Sequence, residues 1–194
     1  VLQVEDELRQ ILDRIDVVVR RRRDQADAGR RMAHFGDGRV DLVARQLPAF
    51  AGLVNRIGGE QVRNMGTIGG NIANGSPIGD TPPPLIALGA RLTLRKGKKR
   101  RTIPLETFFI AYGKQDRRPG EFVEAVHVPV PAKAIKFAVY KITKRRDEDI
   151  TAALGAFHLA LARNGTVADI RIAYGGMAAT PKRASAGEKA LLGQ

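Results

Sequence analysis

Asn64-Met65-Gly66-Thr67-Ile68-Gly69-Gly70-Asn71-Ile72-Ala73-Asn74-Gly75-Ser76-Pro77-Ile78-Gly79-Asp80 is the one concentrated chemical signal in this chain of 194 residues. Glycine lets the backbone take positive φ and brings N–H groups up to a bound anion with no side chain in the way. Thr67, Asn71 and Ser76 add hydroxyl and amide groups, and Asp80 adds a carboxylate able to accept from a sugar hydroxyl. The run is neither a Walker loop nor the G-x-G-x-x-G of dinucleotide-binding folds. Its composition predicts a tight turn at Thr67–Asn71 with exposed backbone N–H groups, and Asp80 in the same cleft. On composition alone, such a segment is more often a plain loop.

Around this run the hydrophobic pattern sets a mixed architecture. Upstream, Leu42, Val43, Leu47, Phe50, Leu53, Val54 and Ile57 fall as a short helix with Pro48 near its start. Downstream, Pro82-Pro83-Pro84 opens a helix to about Gly89, since proline is tolerated in a first turn. Arg91–Leu94 and Arg100–Ile103 make a hairpin about Lys96-Gly97-Lys98-Lys99, followed by a short helix at Leu105–Ile110. Phe122–Val130 and Ile135–Ile142 alternate as strands. Ile150–Ala162 and Val167–Tyr174 flank Asn164-Gly165, a pair that favours a tight hairpin turn. A helix starts at Ala184 and runs to Leu192. The first forty residues read differently: Val4, Leu8, Ile11, Leu12 and Ile15 have helical spacing, and a polar, basic stretch from Arg20 to Val40 has no clean period.

Thirty-three Lys and Arg against twenty Asp and Glu give +13 at pH 7, a balance that suits an anionic partner without specifying a fold. The chain has no cysteine, which excludes disulfides, Cys-ligated zinc and Cys-ligated iron–sulfur clusters within it. No apolar run approaches the roughly 20 residues that cross a bilayer, so no membrane partner is expected and a cytoplasmic location is the default. His34, His127 and His158 lie in unrelated contexts, and the last two read as satisfied structural histidines within strands.

The run from Gly58 to Asp80, above all Asn64–Asp80, closely resembles the second FAD-binding motif of the flavin domain in molybdenum hydroxylases, and within that family the small, FAD-carrying subunit of bacterial xanthine dehydrogenase. Pro119-Gly120-Glu121-Phe122-Val123, Tyr140-Lys141-Ile142, Lys144-Arg145-Arg146-Asp147-Glu148-Asp149-Ile150 and Tyr174-Gly175-Gly176-Met177-Ala178-Ala179-Thr180-Pro181 are similar to later parts of the same subunit. The resemblance covers about Val43 to Gln194. It implies an α+β fold: the second half of a molybdenum-hydroxylase-type FAD-binding domain at 42–132, then an incomplete C-terminal α/β domain at 133–194, with 1–41 unlike the family.

Residue by residue, the resemblance implies that Thr67, Ile68, Gly69, Gly70 and Asn71 lie against FAD through backbone N–H groups. Asp80 hydrogen-bonds the cofactor, Ile57 and Val123 supply apolar neighbours, and Lys141 approaches the flavin. FAD is then the one direct cofactor, with iron–sulfur clusters and the molybdenum centre elsewhere in the complex. The implied partners are NAD and a molybdenum-cofactor-binding subunit. The family's earlier Gly-rich pyrophosphate loop has no counterpart in Val1–Asp41, and without cysteine there is no iron–sulfur region. A weak or absent FAD affinity is therefore expected of these residues alone. Two other readings stand beside this one: the flavoprotein subunit of a carbon monoxide or aldehyde dehydrogenase, and a basic nucleic-acid-binding module using Arg20–Arg23 and Lys96–Arg101. Only 5% aromatic residues and the lack of a recognition motif argue against nucleic acid.

Overall fold

The computed structural model describes residues 46–146 and 148–194, with the backbone of 16–18. The expected helix at Val4–Ile15, the basic stretch from Arg20 to Val40 and His34 lie outside the described residues, save that Asp16–Val18 forms a strand, β1. Two four-stranded antiparallel sheets organise the rest. The first has the order β1-β6-β2-β3, with β2 at Arg91–Lys96, β3 at Lys99–Pro104 and β6 at Phe122–His127. The second has the order β10-β9-β8-β7, with β7 at Lys136–Ile142, β8 at Ala153–Leu161, β9 at Val167–Gly175 and β10 at Lys182–Arg183. A small hairpin, β4 (Phe109–Ala111) with β5 (Lys114–Gln115), stands apart.

Among the described residues five short helices frame the sheets: α1 Pro48–Val54, α2 Glu60–Met65, α3 Ile68–Asn74, α4 Pro82–Ala87 and α5 Ser185–Leu191. Helix α4 joins the two halves. All six of its residues are buried, it packs on β8, β9 and β10, and Leu85, Ile86 and Ala87 belong to the same core as Leu92 and Leu94 of β2 and Leu154 and Ala173 of the second sheet. Burying a Leu or Ile side chain is worth about 1.5–3 kcal/mol, so a short helix with three prolines is held by its neighbours rather than by propensity.

The β2–β3 and β8–β9 hairpins form where expected, the second reversing at Asn164-Gly165 with Gly165 at φ 87°. Three local expectations are corrected. Gly69 and Gly70 lie in the first turn of α3, not in a tight turn: the Thr67 hydroxyl accepts from the Gly70 amide at 3.0 Å and caps the helix, while Ile68 and Ile72, four residues apart, are both buried. Tertiary burial outweighs the roughly 1 kcal/mol cost of each glycine. Residues 105–110 give one 3₁₀ turn, Leu105–Thr107, and then β4. The adjacent Phe108 and Phe109 are both buried, with ring centroids 5.3 Å apart, which a single helical stripe does not accommodate. Thirdly, His158 is buried, but its Nδ1 has no hydrogen-bond partner; the nearest acid, Asp169, stands 3.6 Å away. His127 is satisfied as expected, with Nε2 2.7 Å from Thr93 Oγ1.

Most arginines of the basic hairpin are paired. Arg95 and Arg100 hold the buried Glu124 at 2.8 and 2.6 Å. Arg101 spans Asp116 and Glu121, each at 2.8 Å, and its hydrogen bond brings the Glu121 pKa down to about 2.

Two outcomes test this packing. Gly176 has φ 79°, and a Cβ there would stand 2.4 Å from the Ala152 carbonyl oxygen, so Gly176→Ala is expected to cost about 1–3 kcal/mol or more in urea unfolding. Gly187, in α5 with nothing near its missing Cβ, is the control: Gly187→Ala should stabilise by about 0.4–1 kcal/mol. Equal effects would contradict the account.

The second concerns pH. Burial, then the Arg171 guanidinium, holds the His158 pKa below its ordinary 6.5, with Asp169 opposing. The unfolded chain therefore takes up this proton first. The stability involved is complete above the unfolded value and is lost as pH falls from about 6.5 toward the folded one. His158→Leu should flatten the stability–pH curve just below pH 6.5; an unchanged slope would refute this.

Candidate functional site

The end of the Gly-rich run and the second sheet meet at a buried ion pair. Lys141, on β7, donates from Nζ to Asp80 Oδ2 at 2.8 Å, with its side chain only 2% exposed and that of Asp80 10%. The other carboxylate oxygen, Oδ1, accepts from the hydroxyl of the buried Thr151, just ahead of β8. Lys141 Nζ also donates to the Arg56 carbonyl at 2.9 Å, in the turn after α1. Taking two charges out of water costs several kcal/mol per ion, so such a pair persists only when further hydrogen bonds complete both partners. Here Thr151 and the Arg56 carbonyl do so. Lys141 at a strand end is thus an interior cation, not a surface lysine.

One residue further on, Thr81 donates from its amide and its hydroxyl to Asn71 Oδ1, at 3.2 and 2.7 Å. This brace fixes Asp80 against α3. The Asn71 carbonyl side is committed to it, so Asn71 acts on its surroundings through the helix rather than through that oxygen. On the other side of the seam the Gly176 amide donates to the Pro77 carbonyl at 2.8 Å. A Cβ on Gly175 would press within 3.0 Å of Pro83. Glycine at 175 lets the strand end of β9 lie against the loop that carries Asp80, and glycine at 176 clears the Ala152 carbonyl.

The expected site residues fall into two connected groups. Thr67, Ile68, Gly69, Gly70 and Asn71 form the cap and first turn of α3, with Ile68 and Gly69 buried and Gly70 exposed. Asp80 and Lys141 are in direct contact. Ile57 is buried beside Arg56 in the turn after α1, and Val123 is buried on β6, the strand against which α3 packs. Sequence reading missed Thr151 and Arg56. Each is an ordinary residue type in an ordinary context, 71 and 85 positions from its partner, so no local signal marks it.

The donor set fits a phosphate-bearing dinucleotide. The first amides of a helix have no intrahelical acceptor and favour an anion, and at α3 the Thr67 hydroxyl already serves the Gly70 amide. A Cβ on Gly70 would lie 2.9 Å from Thr67 Oγ1, so a side chain there would crowd the cap. Lys141 is a fixed cation in the interior, paired with Asp80. Among the described residues no group of acids and histidines could hold a metal ion, and no helix is long and apolar enough to cross a membrane.

Residues 36–131 match the FAD binding domain in molybdopterin dehydrogenase, and residues 138–194 match the CO dehydrogenase flavoprotein C-terminal domain. The chain is 38% identical over 154 residues to the glyceraldehyde dehydrogenase medium chain of Sulfolobus acidocaldarius, covering 79% of this chain and 54% of that one. It is 32% identical over 149 residues to the xanthine dehydrogenase FAD-binding subunit of Escherichia coli O157:H7, covering 76% and 51%. In structure it is similar to a carbon monoxide dehydrogenase from Hydrogenophaga pseudoflava, with a TM-score of 0.76 at 36% identity, covering 84% of this chain and 56% of that one. The chain thus spans about half the length of these relatives. With an FAD-binding domain followed by the flavoprotein C-terminal domain, and with FAD as the cofactor of that pair, the chain belongs to the flavoprotein family of the molybdenum hydroxylases.

Proposed function

We propose that this chain is the FAD-binding, electron-transfer part of a xanthine dehydrogenase, taking electrons released by purine hydroxylation at molybdenum and passing them to NAD. The observation that carries the reading is the meeting of two separate sequence stretches, Pro77–Asp80 and Gly175–Gly176, at the seam that also buries Lys141 against Asp80. FAD, when bound, would supply the reversible two-electron chemistry. The chain's own residues would do the rest: the Ile68 and Gly69 amides would hold the phosphates, and Ile57 and Val123 would exclude water. Lys141, oriented by Asp80, would place positive charge beside the ring. A molybdenum-cofactor-binding partner and a cytoplasmic location go with this reading.

The relation to glyceraldehyde and carbon monoxide dehydrogenases supports a second reading, in which the same flavin site serves an aldehyde or carbon monoxide dehydrogenase without NAD. The nucleic-acid reading loses ground, because Arg95, Arg100 and Arg101 are committed to internal carboxylates.

Titrating FAD with the chain while following flavin fluorescence tests the site. The recognisable stretch supplies one side of an FAD cradle. Hydrogen bonds to charged groups contribute about 1.5–3 kcal/mol each, and losing three would weaken binding by a few powers of ten. The expected result is saturable quenching no tighter than micromolar, weakened further by Gly70→Val, with no NADH oxidation by the chain alone. Nanomolar binding abolished by Asp80→Ala would show the chain to be a complete flavin domain. Quenching identical in wild type and Gly70→Val would remove the α3 start from the site.

A further inference from the structure

Arg56 has no carboxylate partner among the described contacts; its guanidinium is spent on the backbone of β7 and the side chain of Thr143 just past its end. Nη1 donates to the Lys141 carbonyl at 3.1 Å, and Nη2 reaches Thr143 Oγ1 at 3.4 Å. Lys141 returns the contact through Nζ to the Arg56 carbonyl at 2.9 Å. Two residues 85 positions apart thus each hold the other's main chain with a side chain. We infer that Arg56 is a positioning residue of the flavin site: through this exchange it fixes where Lys141 and the turn after it stand relative to Ile57.

The consequences run both ways from the exchange. Next to Arg56 lies Ile57, and then Gly58 at φ 54°, whose carbonyl accepts from Arg63 at 2.7 Å. On the other side the Thr143 hydroxyl passes the contact to the Arg145 carbonyl. The turn beyond is closed by Asp149, which accepts from the Arg145 amide at 2.8 Å and the Ile150 amide at 2.9 Å. The same turn returns to the α1–α2 connection at its far end, where Glu148 Oε1 lies 2.7 Å from where a Cβ on Gly59 would be. Arg56 therefore ties one end of a two-point contact, and Lys141, placed beside the flavin in the proposed function, lies inside it. The forked guanidinium matters, because its two terminal nitrogens reach the Lys141 carbonyl and the Thr143 hydroxyl from one rigid plane, a geometry the single flexible ammonium of a lysine does not reproduce.

The inference rests on the proposed FAD site for its functional meaning, and the test separates the two. Backbone hydrogen exchange is followed in the whole chain without FAD, for wild type, Arg56→Met and Arg56→Lys. Arg56→Met should speed exchange about tenfold in residues 54–59 and 141–150 together, while β2, β8 and β9 keep their protection. Arg56→Lys should recover the amides around Lys141 and leave 143–150 fast. Acceleration confined to 54–59, spread evenly over the chain, or fully reversed by lysine would overturn the inference. With FAD added, Arg56→Met should also lower the preference for reduced over oxidised FAD about tenfold, because a displaced Lys141 no longer favours the anionic reduced ring. An unchanged preference would reject the positioning role. Paired local exchange changes in a chain that shows no FAD binding would support the Arg56–Lys141 tie and remove its role at a flavin in this chain.

Discussion

A single buried cation, Lys141, reaches across from the second sheet to the carboxylate of Asp80, and the geometry of the site follows from that contact. A charge nearly out of water has to be answered where it sits. The answer comes from three separate segments: Asp80 at the end of the Gly-rich run, the Arg56 carbonyl after α1, and, through Asp80, Thr151 ahead of β8. The chain can satisfy all of them only by bringing its two halves into one register. An apolar contact would allow sliding; a hydrogen-bonded ion pair does not.

The apolar interior supplies the energy that this register directs. Helix α4 is buried throughout, packed on the second sheet and the 3₁₀ turn, and its residues share one core with β2, β8 and β9. Glycines permit the close approach: Gly175 lets β9 end against Pro77 and Pro83, and Gly176 clears the Ala152 carbonyl, where side chains would collide. The apolar contacts set how much stability there is, and the ion pair with its glycine neighbours sets which arrangement receives it.

Much of this was legible in the residues, for physical reasons that differ by element. The β8–β9 hairpin reads clearly because Asn164-Gly165 selects a turn whose twist matches the strands, and the alternation on either side is local information. Local information misled at Gly69-Gly70, where propensity favours a loop but a Thr67 cap and the buried pair Ile68 and Ile72 make a helix. Helix α2 was missed altogether, since Gly58-Gly59 before it and Gly66 after it hide six residues in a glycine-rich setting. In the site, Asp80 and Lys141 were found through family resemblance, and their direct contact was not foreseen. Arg56 and Thr151 gave no signal at all. Their roles exist only through partners dozens of residues away, which one sequence does not display.

The central claim is that Asp80 and Lys141 act as one buried unit joining the two halves, and a double-mutant cycle in urea unfolding measures it directly. Asp80→Asn and Lys141→Met should each cost about 3–5 kcal/mol, because each leaves the other charge buried and unanswered. The double variant should cost much less than their sum, giving a coupling of at least about 2 kcal/mol. Costs that simply add would contradict the account, and so would single substitutions within about 0.5 kcal/mol of wild type.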